Sequence, residues 1–219
     1  MNIFKRKNED LYLVTNLKVM YSTLKAQESI EEIPKSFSLV LKIIFNNLNL
    51  TQAVFFLLVR NPYHRLESFF KNKFRTTLPR IQRSGEWQPC HEIFFPHLEL
   101  RKSPNPTLVI EKLSGINFTK FISLLPLVYT KDGHLYPQNW ARHLHIRYNK
   151  YRVGIPIKYK EVFKMESEKD LNKMAKLFML DLEIRENSTQ SVNEQLDWTE
   201  KEYNIVNELY KYDFKYYKY

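Results

Sequence analysis

Seven consecutive apolar residues at 53–59, Ala-Val-Phe-Phe-Leu-Leu-Val, constrain this chain more than any other feature. A continuous run rich in β-formers has no polar side to offer water, so it reads as a strand buried on both faces, as in a parallel sheet. It is also far short of the roughly 20 residues that cross a bilayer, so it is not a transmembrane span. The strand must stop sharply. Arg60 follows it, then Asn61, a residue suited to a helix cap, then Pro62, which fits a first helical turn. From there Leu66, Phe69, Phe70 and Phe74 recur at helical spacing.

The rest of the pattern surrounds this strand-to-helix junction. Residues 10–15 suit a short strand, Asn16 a turn, and Ser22 or Thr23 the cap of a helix running to about Glu32. After Pro34, apolar residues at 37, 40, 41, 44, 45 and 48 predict a second helix over 36–48. Residues 107–110 read as another short strand, 118–125 as a helix, and 168–180 and 199–212 as two amphipathic helices. Strands alternating with helices predict an α/β fold of three layers, a central mostly parallel sheet flanked by helices. The stretch 75–106, with Pro79, Gly85, Pro89, Pro96, Pro104 and Pro106, reads as a long loop with one short helix, a lid or acceptor-side loop. At 219 residues the chain is read as one domain, 1–219.

Several function classes fall away. Glycines at 85, 115, 133 and 154 are too far apart for a dinucleotide fingerprint or a Walker-type loop. Cys90, His91, His97, His143 and His145 do not make the paired spacings of a zinc site, so no metal is expected. A single cysteine asks for no oxidising compartment, and the N-terminus is charged where a signal peptide would be apolar, so a cytoplasmic location is expected. With 34 Lys and Arg against 24 Asp and Glu, the formal charge of +10 favours an anionic partner.

The chemistry concentrates at the junction. Arg60 leaves the strand and Ser68 lies about two turns into the next helix, at the sheet edge where α/β proteins bind ligands. A guanidinium forks onto two phosphate oxygens, so phosphate is the natural guest; on spacing alone, however, an Arg–carboxylate pair and a surface serine are the favoured reading, because strand-Arg-Asn-Pro-helix is not a specific code. The passage resembles the 3′-phosphate-binding motif of carbohydrate sulfotransferases, in which a buried strand ends in Arg, then Asp or Asn, then Pro. A Ser follows, here in Arg65-Leu66-Glu67-Ser68.

Further segments carry the same resemblance in order: residues 116–125, His134-Leu135-Tyr136-Pro137-Gln138, residues 162–166, and Tyr210-Lys211-Tyr212-Asp213-Phe214. The resemblance implies a P-loop-NTPase-like sulfotransferase fold and 3′-phosphoadenosine 5′-phosphosulfate as donor, with adenosine 3′,5′-bisphosphate as product. It gives Arg60 and Ser68 the 3′-phosphate. It gives Lys18, with Ser22 and Thr23, the 5′-phosphate, where an ammonium stabilises the charge that grows on the bridging oxygen as sulfuryl leaves. Leu17 stands where the family has Pro, and Met20 and Tyr21 where it has small residues.

A base must take the acceptor's proton. His134 is the first candidate, since imidazole changes protonation near neutrality and the preceding Asp132-Gly133 turn orients it; Glu28, Glu31 and Glu32 are its rivals. The expected acceptor is a carbohydrate or glycolipid hydroxyl, with peripheral membrane contact compatible with it. The other reading is a basic nucleic-acid-binding protein, supported by the Tyr- and Lys-rich end of the chain. No RNP-type, helix-turn-helix or KH signature accompanies it, which disfavours nucleic acid.

Overall fold

A hydrophobic run as continuous as 53–59 has to be covered on both faces, and it does become a fully flanked strand in the computed structural model, which describes residues 1–17, 19–78, 88–100, 105–148, 151–184 and 196–219. The chain divides into two units, Met1–Asn61 with Gln138–Asn187, and Pro62–Pro137 with Ser188–Tyr219. In chain order the first unit holds β1 (Asn2–Arg6), β2 (Leu11–Thr15), α1 (Tyr21–Lys25), β3 (Ile30–Glu32), α2 (Phe37–Asn47) and β4 (Val54–Val59). The second unit then supplies α3 (Pro62–Phe70), α4 (Pro89–Glu92), α5 (Pro106–Ser114) and α6 (Phe118–Val128). The first unit resumes with β5 (His143–Tyr148), β6 (Tyr151–Pro156), β7 (Tyr159–Lys164) and α7 (Glu168–Phe178), and α8 (Glu200–Leu209) and α9 (Lys211–Tyr217) complete the second.

In the first unit five strands lie in the order β3-β1-β2-β4-β7. β2, β4 and β7 are parallel, with Thr15 level with Leu58 and Val59 level with Lys164, while β1 runs antiparallel to both β2 and β3. The alternation of side chains along β4 splits its burial between two faces. Phe56 and Leu58 join Phe4, Leu13 and Phe163 on one face, under Leu24 of α1 and Met174 and Phe178 of α7. On the other, Phe55 stacks on Tyr12 at 4.8 Å, and Lys42 of α2 donates to the Tyr12 hydroxyl at 2.9 Å. Leu39, Val40 and Ile43 are the buried residues of α2. Sheet and helices form three layers, as the alternation predicts, and the sheet is mixed because of β1. A separate hairpin, β5–β6, pairs from His143↔Pro156 to Tyr148↔Tyr151.

The second unit is helical around an aromatic core. Phe69, Phe70, Phe74, Phe94, Phe118 and Phe121 are all buried in one cluster. After α3 the chain widens into a π-helical turn, Lys71–Thr76, where the Arg75 guanidinium lies 4.4 Å from the Phe70 ring centre and donates to the carbonyls of Phe74 and Ile116.

Three expectations are corrected. The helix expected from 22 to 32 ends at Lys25, and Ile30–Glu32 forms β3 on the free edge of β1, burying Ile30. The strand expected at 107–110 is the first part of α5: Asn105 accepts from the Thr107 N–H at 2.9 Å and Pro106 occupies the first turn, so capping decides what a short apolar run cannot. The helix expected over 199–212 breaks at Tyr210 into α8 and α9. Within 75–106 the described residues include α4 and a 3-10 turn at Phe95–His97, while 79–87 and 101–104 lie outside the described residues. No helix among the described residues is long and apolar enough to cross a membrane.

Candidate active site

The C-terminal ends of β2, β4 and β7 share one edge of the first unit's sheet, because the three strands are parallel. Such an edge is the usual ligand-binding side of an α/β sheet. From β2 the chain turns through Asn16 into α1. The buried Thr15 hydroxyl donates to the Val19 carbonyl at 3.0 Å, and Met20 adopts a left-handed conformation, φ 52°, before the helix. This is a strand–loop–helix turn as expected. Lys18 lies outside the described residues. Ser22 is half-buried at the second position of α1 and Thr23 is buried beside Leu24.

Arg60 follows directly on β4, one parallel strand away from that turn, and is half-buried. Its backbone is held by Gln138, which lies fully buried: the Arg60 N–H donates to Oε1 at 2.8 Å and Nε2 donates to the Arg60 carbonyl at 2.5 Å. The next N–H, of Asn61, donates to the Glu166 carboxylate at 2.7 Å, just past β7. The edge is thus built from the ends of three strands, with every one of these backbone groups satisfied. Glu166 ends the 162–166 segment that carries the resemblance, but nothing in its spacing connects it to Asn61.

The rival glutamates also fall in the first unit. Glu28 is exposed before β3, and Glu31 and Glu32 are exposed on it. Glu32 accepts from the Tyr21 hydroxyl at 2.9 Å, which ties it to the first residue of α1; this bond pushes the phenol above its ordinary range.

The remaining residues are in the second unit. Ser68 is half-buried on α3, whose Arg65, Leu66, Phe69 and Phe70 face inward, while neighbouring Glu67 accepts from the Trp198 indole N–H at 2.7 Å. His134 is about a quarter exposed, and its Nδ1 lies 2.7 Å from Asp132 Oδ1. The same oxygen accepts from the His134 backbone N–H at 2.8 Å. Burial works against the Asp132 carboxylate, but the hydrogen bonds and charge of His134, with the field of Lys73, outweigh it and hold the group below its usual range. An ionised Asp132 accepts from Nδ1–H, which leaves a lone pair on His134 Nε2: the tautomer a general base needs. The sequence signal was present, since an Asp two residues before an N–H is an Asx turn, though its hold on the His134 ring rests on the side-chain bond.

Ser22, Thr23, Arg60 and Glu32 therefore belong to the first unit, and Ser68 and the Asp132–His134 pair to the second. Among the described residues no three His, Cys, Asp or Glu side chains gather where they would hold a metal ion. Cys90 and His91 are buried in the aromatic core, where His91 Nε2 meets the Lys73 carbonyl at 3.0 Å and burial lowers the imidazole's proton affinity.

No curated protein and no solved structure matches the chain. A family model does, over residues 7–219, and it is that of the sulfotransferase family. The match runs through the β2–α1 turn, the Arg60 junction, His134 and the terminal helices, and the three-layered unit is consistent with it. On that match over nearly its whole length, the chain belongs to the sulfotransferase family, whose chemistry is sulfuryl transfer.

Proposed function

We propose that this protein transfers a sulfuryl group from 3′-phosphoadenosine 5′-phosphosulfate to a hydroxyl of a carbohydrate or glycolipid acceptor, the chain acting as one sulfotransferase domain. The observation that carries this reading is the placement of Arg60 at the end of β4, beside the β2–α1 turn on the next parallel strand, with its backbone clasped by buried Gln138. An arginine whose backbone is held next to a strand–loop–helix turn suits a donor that carries phosphates on both sides of its ribose.

In this reading Arg60 and Ser68 hold the 3′-phosphate, and Lys18, Ser22 and Thr23 the 5′-phosphate. His134 Nε2 takes the proton as the acceptor oxygen attacks sulfur. The new S–O bond forms while the bond from sulfur to the 5′-phosphate oxygen breaks. Adenosine 3′,5′-bisphosphate leaves with the electron pair, and Lys18 meets the charge that develops there. Asp132 keeps His134 in the accepting tautomer and stabilises the imidazolium that results. Glu32, fixed by Tyr21, is the second candidate for the base. No residue here needs a metal to perform its part.

The test is calorimetric titration with adenosine 3′,5′-bisphosphate, comparing wild type with Arg60→Ala. Binding in roughly the micromolar range that the substitution abolishes supports the donor assignment. A folded wild type that does not bind overturns it.

A further inference from the structure

Charge is unevenly distributed along this chain in a way its proposed catalysis does not use. Residues 33–53 and 138–160 contain no Asp or Glu, yet carry Lys35, Lys42, Arg142, Arg147, Lys150, Arg152, Lys158 and Lys160. Those eight cations account for most of the formal +10. The first unit brings α2 against the end of the second stretch, at Pro156 and Lys158. Asn47 on α2 donates to the Pro156 carbonyl at 2.7 Å and accepts from the Lys158 N–H at 3.1 Å. Asn46 donates to the Lys158 carbonyl at 3.1 Å, and Lys158 Nζ donates to Asn49 Oδ1 at 2.9 Å. Asp10 is taken up by Lys42 of α2 at 2.6 Å and by Lys5 at 4.0 Å.

The same place carries uncovered apolar side chains. α2 turns Leu39, Val40 and Ile43 inward, but Phe37, Ile44, Phe45 and Leu48 recur at helical spacing on a second stripe and are exposed, Phe37 by 76% and Leu48 by 59%. Leu50, 70% exposed, extends the stripe beyond the helix, and Val153 on β6 is 46% exposed. Scattered exposed apolar residues need no explanation, but an aligned series beside a carboxylate-free basic stretch does.

We propose that this face of α2, with Lys158 and the neighbouring Lys160 that follow it in the first unit, is an interfacial docking surface for an anionic lipid membrane. Apolar side chains entering the acyl boundary while Lys and Arg meet the headgroups is the arrangement of a helix lying in the interface plane. A second copy of the chain fits poorly, because a two-fold contact sets this basic surface against itself. Nucleic acid would use the cations but leaves Ile44, Leu48 and Leu50 without a role, since base stacking needs aromatic rings. The surface is independent of the sulfuryl-transfer reading and would bring the enzyme to an acceptor presented on a bilayer.

The test is sedimentation of the full chain with vesicles of phosphatidylcholine alone and of phosphatidylcholine with about one-third phosphatidylglycerol, at low and high salt. Binding is expected to the anionic vesicles, roughly tenfold or more above the neutral ones, and to fall with salt. Lys158→Glu with Lys160→Glu should weaken it by about thirtyfold, and Phe45→Glu with Leu48→Glu should reduce it to background. Both pairs are solvent-exposed, so thermal melting and adenosine 3′,5′-bisphosphate binding should match wild type. Absence of vesicle binding overturns the proposal, as does equal binding by the Phe45/Leu48 variant. Binding of a single-stranded oligonucleotide without vesicle binding, or a wild-type dimer that the same variant makes monomeric, overturns it in favour of nucleic acid or self-association.

Discussion

Gln138 grips the backbone of Arg60 from both sides, donating to its carbonyl at 2.5 Å and accepting from its N–H at 2.8 Å, across 78 positions of sequence. The amide does for Arg60 what a neighbouring strand does for β4: it satisfies both backbone groups at the point where the ladder ends. It thereby fixes where the chain leaves the sheet, and with it where the guanidinium starts. Gln138→Leu keeps the bulk and removes both partners. Each buried group left unpaired costs about 1–3 kcal/mol, so the variant should unfold at clearly lower urea, and its affinity for adenosine 3′,5′-bisphosphate should fall although Arg60 is intact. Unchanged affinity in a destabilised variant would show that the clasp serves only the fold.

Arg60 itself should matter to binding far more than to folding, being half-buried at a strand end. Arg60→Ala is expected to cost donor-product affinity about 1.5–3 kcal/mol, the range for a hydrogen bond to a charged group, with Ser68→Ala costing about 0.5–1.5 kcal/mol. Lys18→Ala should chiefly slow turnover, because the charge it meets grows during transfer. Titration separates the first two from the third. An Arg60→Ala protein that binds as wild type does would remove the phosphate assignment.

Much of the first unit's frame was legible because local signals agreed there. The run at 53–59 admits no half-exposed strand, Pro62 begins a helix, and Ser36 caps α2 by accepting from the Leu39 N–H at 3.3 Å. β1 was not legible: Asn2–Arg6 is short and charged, with adjacent apolar Ile3 and Phe4 rather than an alternation, and only its place between β2 and β3 makes it a strand. β3 was hidden inside a helical pattern for the same reason, since tertiary pairing overrode propensity. The site divides similarly. The places of Arg60 after β4 and of Ser68 on α3 were readable from the junction, and Gln138 as part of a motif, but the partner of Gln138 depends on pairing at long range. Asp132 needed the side-chain geometry around His134 before it read as more than a turn residue.

The Asp132–His134 pair makes a pH-dependent prediction. Asp132 is held below the ordinary carboxylate range in the folded chain, so its contribution to stability is present above that range and is lost as pH falls through the depressed value. Asp132→Asn lacks that contribution. The stability difference between wild type and variant should therefore be constant near neutrality and shrink below about pH 4. Turnover should fall in the variant while adenosine 3′,5′-bisphosphate binds unchanged, because an amide no longer selects the accepting Nε2. Urea unfolding across pH, with kcat measured on the same samples, tests both. Full turnover in Asp132→Asn would move the base to Glu32, and Glu32→Gln would then be the slow variant.

Tyr210 carries the last prediction, at the break between α8 and α9. It is fully buried, its hydroxyl donates to the Leu135 carbonyl at 2.7 Å, and the Arg65 guanidinium lies 5.4 Å from its ring centre. Arg65, also fully buried, donates from Nη1 to the adjacent carbonyl of Tyr136 at 2.7 Å. Two successive carbonyls just after His134 are thus held by one residue of α3 and one of the terminal helices. Tyr210→Phe leaves the Leu135 carbonyl unpaired and should cost about 1–3 kcal/mol at neutral pH. Burial pushes the Tyr210 phenol well above its ordinary value. A raised value means that the contribution is complete below the ordinary tyrosine pKa, near 10, and is lost as pH climbs past it, because the unfolded chain ionises first. Wild type should lose stability relative to Tyr210→Phe above about pH 10, so their urea midpoints converge in alkali after standing apart at neutrality. A gap that stayed constant to high pH would mean that the phenol is not shielded as its burial requires.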